Sequence, residues 1–383
     1  MIGLMGGGQL GRMMIQAAHA MGERVAVLDP DPSGPASQLA DERIVADYTD
    51  FDGLSRLSRW ARVFTTEFEN VPAESLRFLA RHGPTYPDAH AVAIAQNRVD
   101  EKRFISAAGV DVAPHAVITR IDDMDDLPDN LFPGLLKTAR LGYDGKGQRK
   151  VHDAAQVRQA WTDMGAVACV LEKMLPLERE ISVICARDRD GRIALFPVGE
   201  NTHRHGILAV TEAPARIPEA LARRAGEAAC RIADALSYVG VLCVEFFVLS
   251  GDRLLANEMA PRPHNSGHHT IESCRTSQFE QQVRICTGQP LGSTEQISPA
   301  VMLNVLGDSW FRASPQPVEP DWEAVRALRS VHLHLYGKSQ PRPGRKMAHV
   351  TCLGDTPVEA RRRAELVADI LGLDVGRGLA AGG

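Results

Sequence analysis

Two apolar runs, Val241-Leu-Cys-Val-Glu-Phe-Phe-Val-Leu249 and Arg253-Leu-Leu-Ala-Asn-Glu258, flank Gly251-Asp252 and predict a β-hairpin. With a two-residue loop, Ser250 faces Arg253, and counting outward sets Glu245 opposite Glu258. Two carboxylates directly across a ladder repel unless positive charge lies between them. A magnesium ion, which favours oxygen ligands and substrate phosphates, fits that place; the plainer reading is an acid pair on a solvated face. Glu245 stands in a nearly unbroken apolar run, which weighs against the solvated face. The residues that follow, Met259-Ala-Pro-Arg-Pro-His-Asn-Ser-Gly-His-His-Thr270, combine proline-fixed backbone with polar side chains and little to bury. Folding alone does not account for such a segment.

The chain has 383 residues, more than one ordinary core holds, so two or three domains are expected. Lys plus Arg number 43 against 48 Asp plus Glu, and a net charge of -5 argues against a nucleic-acid binder relying on bulk positive charge. The 7 cysteines lack a Cys-x-x-Cys pair and sit mostly in apolar runs (Cys169, Cys185, Cys243), as small core residues in a reducing compartment do. No apolar run reaches membrane-spanning length and no signal peptide precedes the first strand. A soluble cytoplasmic protein, with neither nucleic acid nor membrane as partner, is the expectation.

Met1–Met5 reads as a strand, and Gly6-Gly-Gly8-Gln-Leu-Gly11 leads into a helix with Met14, Ala17, Ala18 and Met21 on its apolar face. Glycines at this spacing let backbone N–H groups approach an anion, and Asp29 ends the next strand where a dinucleotide site needs an acid. A Rossmann dehydrogenase and a βαβ turn holding another phosphate, or no ligand, all fit. Arg62–Pro72 is taken as the third strand, with Glu67 and Glu69 at its exit, where an open parallel sheet places its ligand crevice; a solvated strand exit fits two alternating acids equally well. A helix opens near Arg98–Lys102 and closes at Gly109, and a change of texture puts a domain boundary between residues 90 and 120.

Leu135-Leu-Lys137 ends a short strand, and Gly142-Tyr-Asp-Gly-Lys-Gly-Gln148 follows as a glycine-rich turn able to lie over phosphates, without the Walker spacing. Glu219–Leu236 is an amphipathic helix, and Cys274–Thr287 is expected to be another. The pair His203 and His205 matches no common zinc spacing. His332 and His334 share one face of a strand and read as satisfied or solvated. Arg342, Arg345 and Lys346 in a Pro/Gly-fixed loop suit a phosphate.

A strand lysine, a glycine flap, Val170-Leu-Glu-Lys173 and two acids on adjoining strands resemble the α/β ATP-grasp superfamily. Within it the chain resembles the 5-(carboxyamino)imidazole ribonucleotide synthetases of purine biosynthesis. The residues that carry this are Gly7–Met13, Glu67-Phe-Glu69, Gly142–Gln148, Asn257-Glu258, Pro261-Arg262, His264-Asn-Ser-Gly-His268 and Arg342–Lys346, in family order over nearly the whole chain. His269, where an aromatic is expected, and Ala348, where glycine is usual, depart from the pattern.

The resemblance implies an ATP-grasp fold with an N-terminal Rossmann-like pre-ATP-grasp domain (1–100), an ATP-grasp domain (101–290, flap about 115–185) and a small C-terminal α+β domain (291–383). It implies a homodimeric ligase that carboxylates 5-aminoimidazole ribonucleotide with bicarbonate through carboxyphosphate, using ATP and magnesium, with manganese as an alternative ion. Carried over residue by residue, Lys137 pairs with the α and β phosphates, under a flap of Gly142, Tyr143, Asp144, Gly145, Lys146, Gly147 and Gln148. Glu172, Lys173, Met174 and Leu175 hold the adenine edge and Glu180 the ribose, while Arg98, His203 and Asn257 complete the nucleotide pocket. Glu245 and Glu258 hold the metal.

On the acceptor side, Arg262 takes bicarbonate and carboxyphosphate, His264, Asn265 and Ser266 shape that pocket, and Tyr143 and Asp144 orient nucleotide and amine. The ribonucleotide lies among Gly8, Gln9, Glu67, Glu69, Arg345 and Lys346. Other ATP-grasp ligases, such as formate-dependent phosphoribosylglycinamide formyltransferase or biotin carboxylase, are the alternatives within the fold. A redox protein on the first βαβ unit is the alternative outside it, although no nicotinamide-facing catalytic pair is present.

Overall fold

Every residue of Ile2–Met5 (β1) and Val25–Asp29 (β2) is buried, as befits central strands of a parallel sheet covered on both faces. The computed structural model describes residues 1–140, 142, 147–312 and 314–375, so the roles assigned to Tyr143, Asp144, Gly145 and Lys146 lie outside the described residues. Helix Gln9–Ala20 (α1) links β1 to β2; Glu42–Val45 (β3), Phe51–Trp60 (α2) and Val63–Thr66 (β4) complete a parallel sheet ordered β3-β2-β1-β4. The segment before Glu67 is therefore the fourth strand, not the third. Edge strand β3 buries only Ile44, so no apolar run announces it.

Helices Ala73–Leu79 (α3) and Ala89–Ala95 (α4) lead to Arg98–Ala107 (α5). The Asn97 side chain caps α5 by accepting the Val99 N–H at 3.1 Å, and Gly109, at φ +74°, supplies the left-handed turn beyond its end. His115–Ile118 (β5), Gly134–Thr138 (β6), Gln148–Val151 (β7) and Cys169–Lys173 (β8) form an antiparallel sheet ordered β5-β8-β6-β7. Helix Ala154–Asp163 (α6) packs Val157 and Ala160 against Leu136, Val151 and Leu171 of that sheet.

The largest sheet gathers Arg179–Arg187 (β9), Ile193–Leu195 (β10), Gly199–Arg204 (β11) and Ile207–Ala213 (β12), with helix Glu219–Ala235 (α7) following them. Gly240–Leu249 (β13) and Arg253–Ala260 (β14) form the hairpin; helices Thr270–Ser273 (α8) and Gln278–Thr287 (α9) follow. Ala300–Leu306 (β15), helix Trp322–Arg326 (α10), Val331–Leu335 (β16), Lys346–Leu353 (β17) and helix Pro357–Leu371 (α11) close the chain. The order is β14-β13-β9-β11-β12-β15-β17-β16, with β10 beside β9. The C-terminal strands thus extend the sheet of the middle unit through the β12–β15 pair.

Leu242, Val244 and Phe246 of β13 face α7, while Val241 and Cys243 share a second core with Ile285 of α9. Burial on both faces is why β13 reads as a continuous apolar run. Helix α9 starts at Gln278, four residues later than expected, because the Ser277 hydroxyl caps it by accepting the Glu280 N–H.

The hairpin reaches its expected pairing by another route. Its loop has three residues, with Gly251 (φ +71°) and Asp252 (φ +57°) in the left-handed region, so Leu249, not Ser250, faces Arg253. A bulge then places both Ala256 and Asn257 against Phe246, restoring Glu245 opposite Glu258. The two-residue loop was wrong, and the bulge cancelled its error.

Candidate active site

The glycine loop after β1 is occupied by the protein's own carboxylates. Gly8 and Gly11 donate their N–H groups to Glu67 Oε1 and Oε2 at 2.9 and 3.1 Å, and Gly7 donates to Asp29 Oδ2 at 2.5 Å. Tyr48 Oη donates to the same Asp29 oxygen at 2.5 Å. A Cβ on Gly8 would collide with Glu67 Oε1, so the glycine admits the acid that follows β4. These donors are the ones a dinucleotide pyrophosphate needs, and Asp29 already accepts from Gly7, Tyr48 and Asp31. The geometry weighs against the redox reading.

A cavity of about 430 Å³ opens beside that loop. The N-terminal unit lends it Gln9, Glu67 and Glu69; α5 and the flap strands lend Arg98, Glu101 and Gly142. Glu258, Arg262, His264, Asn265 and His268 come from the hairpin and the loop after it, and Lys346 from the start of β17.

Lys137 Nζ lies 3.0 Å from Glu172 Oε2, and Lys102 Nζ lies 3.0 Å from Glu172 Oε1. Burial pushes the Glu172 carboxyl up, but the two lysines outweigh it and hold it charged. The Glu172 side chain is thus a buried anchor for Lys137. Met174 N–H is bonded to Pro133 O at 2.9 Å, which fixes the strand exit at Lys173–Leu175. His203 Nδ1 lies 3.1 Å from Glu180 Oε2; burial opposes its charge, yet Glu180 and then Glu245 raise its pKa to about 9. Thr138 N–H donates to Gly147 O at 2.9 Å and Lys137 pairs with Gln148, fixing both described ends of the flap turn.

The two carboxylates of β13 and β14 are held differently. Arg98 Nη1 donates to Glu258 Oε2 at 2.8 Å. Burial, and then the facing Glu258, push the Glu245 carboxyl up; burial also acts on Glu258, but the Arg98 contact brings it below the usual carboxylate range. The two carboxylates face each other across the ladder, with Arg98 on Glu258. With only two carboxylates, the place suits magnesium carrying waters and phosphate oxygens, and no group of three or more His, Cys, Asp or Glu suited to a metal occurs among the described residues.

Arg262 Nε donates to Glu69 Oε2 at 2.5 Å and Nη1 to Pro263 O at 3.0 Å. His264 Nδ1 accepts the Ser266 N–H at 3.3 Å, which leaves its ring proton on Nε2, the nitrogen 3.5 Å from Glu245 Oε1. Burial first, then Arg262 and Lys346, lower the His264 pKa to about 3, so the ring is neutral. Ser266 is a support beneath it: the hydroxyl is buried between Ser182 Oγ (2.8 Å) and His264 Nδ1 (2.9 Å). Asn265 Oδ1 and Nδ2, and Asn257 Oδ1, are buried without a partner among the described residues, as groups awaiting a ligand are. Arg345 turns to its own loop, donating to Gln340 O at 2.7 Å, and does not line the cavity.

A model of the ribonucleotide synthetase preATP-grasp domain matches residues 1–96, one of the ATP-grasp domain residues 103–279, and one of the phosphoribosylaminoimidazole carboxylase C-terminal domain residues 300–363. The N5-carboxyaminoimidazole ribonucleotide synthase of Bacillus subtilis is 41% identical over 351 residues, covering 91% of this chain and 90% of its own. That of Brucella melitensis is 44% identical over 359 residues (91% and 95%). The chain belongs to the N5-carboxyaminoimidazole ribonucleotide synthetase family. A solved structure of such a synthetase with ADP matches at 40% identity and TM-score 0.88, covering 96% of this chain and 95% of its own. The Aspergillus clavatus synthase in complex with ADP and 5-aminoimidazole ribonucleotide matches at 28% identity and TM-score 0.88, over 97% and 98%.

Sequence reasoning overlooked several groups at this synthetase site. Glu101 accepts the Met259 N–H at 2.6 Å, and burial, followed by the nearby Glu258, raises its pKa to about 8. Lys102, one residue on, anchors Glu172. Both lie three or four residues after Arg98, the spacing that puts residues on one helix face, so Arg98 was the signal. Lys338 donates to Gln9 Oε1 (2.9 Å) and Lys346 O (2.7 Å), joining the glycine loop to β17. Its neighbours in the sequence carry no pattern that points there.

Proposed function

We propose that this protein joins bicarbonate to the exocyclic amine of 5-aminoimidazole ribonucleotide, with ATP cleaved to ADP and phosphate, and that it does so as a cytoplasmic homodimer. The units proposed are residues 1–100, 101–290 with its flap about 115–185, and 291–383. One observation carries the reading: Arg98 and Glu258, on the nucleotide side, open onto the same cavity as Arg262, His264 and Asn265. The relatives compared above carry the synthetase name, which favours this acceptor over that of the formate-dependent formyltransferase.

Bicarbonate is a poor electrophile, and transfer of the γ-phosphoryl group to its oxygen activates it as carboxyphosphate. That step calls for positioning and charge neutralisation more than for covalent help. Lys137, held by Glu172, pairs with the α and β phosphates, and the 142–148 turn covers them. Lys173–Leu175 present backbone to the adenine, Glu180 with His203 meets the ribose, and Arg98 and Asn257 complete the pocket. Glu245 and Glu258 would hold magnesium, or manganese, which when bound would supply positive charge against the triphosphate.

Arg262 offers bicarbonate a planar two-donor fork. Neutral His264 presents Nε2–H to the same space, and Asn265 supplies the unpaired amide. Gly8, Gln9, Glu67, Glu69 and Lys346 surround the ribonucleotide; Arg345, which pairs with Gln340 of its own loop and stands outside the cavity lining, would have to turn inward to meet its phosphate, and Tyr143 and Asp144 orient nucleotide and amine. The test is phosphate release with each substrate omitted in turn. Turnover that needs both the ribonucleotide and bicarbonate is expected; equal turnover without the ribonucleotide, or stimulation by glycinamide ribonucleotide instead, would refute the assignment.

A further inference from the structure

Arg262 is engaged by the protein's own groups. Its Nε donates to Glu69 Oε2 at 2.5 Å and its Nη1 to Pro263 O at 3.0 Å, so one of the donors that would meet bicarbonate is already on a carboxylate oxygen. A carboxylate and bicarbonate present the same planar pair of oxygens to a guanidinium. Glu69 and Arg262 both line the cavity, at the junction of the glycine-loop side with the hairpin side.

The neighbouring acid does something else. Glu67 is bound through both oxygens to the Gly8 and Gly11 N–H groups and is fixed to its own unit. The backbone around Glu69 is fixed too, because Gln96 Nε2 donates to Glu69 O and to Val71 O, each at 2.6 Å. Only the Glu69 side chain is left to choose between partners. Its choices are Arg262 across the cavity and the hydroxyl or amine donors of a ribonucleotide seated beside it.

We propose that Glu69 is a latch on Arg262: without the ribonucleotide it keeps bicarbonate off the guanidinium, and the bound ribonucleotide draws it away. The proposal rests on the functional reading above and adds its regulation. Carboxyphosphate formed without an acceptor is lost to water, consuming ATP for nothing. A carboxylate that leaves Arg262 only when the acceptor's donors replace it ties activation to the acceptor's presence. Glu69 is here a positioning residue, acting through Arg262.

The test measures bicarbonate-dependent phosphate release from magnesium-ATP without ribonucleotide, for the wild type and for Glu69→Gln and Glu69→Ala. Removing a charge-assisted hydrogen bond from Arg262 is expected to raise this acceptor-free rate at least about tenfold in both variants. By calorimetry with magnesium-ADP, phosphonoformate, a stable anion bearing a carboxylate and a phosphoryl group, is expected to bind the variants about tenfold more tightly. Unchanged acceptor-free rates and unchanged phosphonoformate affinity, with only weaker ribonucleotide binding, would overturn the latch and leave Glu69 as a simple substrate ligand. A wild-type protein inert with all three substrates would sink the functional reading and the latch together, whereas normal wild-type turnover with silent variants sinks the latch alone.

Discussion

His269 sits where the family pattern calls for an aromatic ring, and the structure gives it a partner: its Nδ1 lies 2.7 Å from Ser273 Oγ, one helical turn away and fully enclosed. Burial lowers its pKa to about 4, below the usual value of about 6.5. The unfolded chain therefore binds a proton that the folded one refuses between these values. Stability from this residue is complete above about pH 6.5 and falls with acidification, by about 1.4 kcal/mol per pH unit. His269→Phe should be less stable than wild type at pH 8, because Ser273 loses its partner. The gap should narrow by about 2 kcal/mol at pH 5, read from urea unfolding. Parallel pH dependences for the two proteins would show that His269 is not held neutral. Ala348 needs no such account: its methyl is buried among Val305, Val350 and Ala364.

Among the elements, the β13–β14 hairpin was legible because glycine, aspartate and an apolar run mark it directly. The bulge at Asn257 was not, since two opposing departures from regular pairing leave the end register unchanged. Helix α5 was legible as a helix, but not as the element that brings Arg98, Glu101 and Lys102 to the site. Charged residues at helix starts are common, and only tertiary packing shows that Lys102 is 1% exposed. Its ammonium lies 3.0 Å from Glu172 and 3.5 Å from Asn257 O. Lys102→Met keeps the length of the side chain and removes the charge, and is expected to destabilise the fold by about 3 kcal/mol in urea unfolding. A change below about 0.5 kcal/mol would mean that Lys137 alone suffices for Glu172.

At the scale of the whole molecule, the site lies where the glycine loop, the hairpin and the start of β17 converge, and Lys338 ties the first of these to the last. The motifs for each part stand in the sequence, but their convergence depends on a sheet shared between the middle and C-terminal units, which strand patterns alone do not reveal. The same holds for the buried rings of His268 and His349 and the half-buried ring of His334: His334 stacks on His349 at 4.4 Å, and His268 lies 4.7 Å from His349. They pack the loop after Arg262 onto β16 and β17, and His334 is satisfied by Glu272 at 2.6 Å. The central claim is that ATP activates bicarbonate in this cavity and that the ribonucleotide receives the carboxyl group. Turnover in ¹⁸O-bicarbonate followed by mass spectrometry of the phosphate tests it most directly. One ¹⁸O per phosphate released, with the label's carbon in the carboxylated ribonucleotide, is the predicted result; unlabelled phosphate would contradict it.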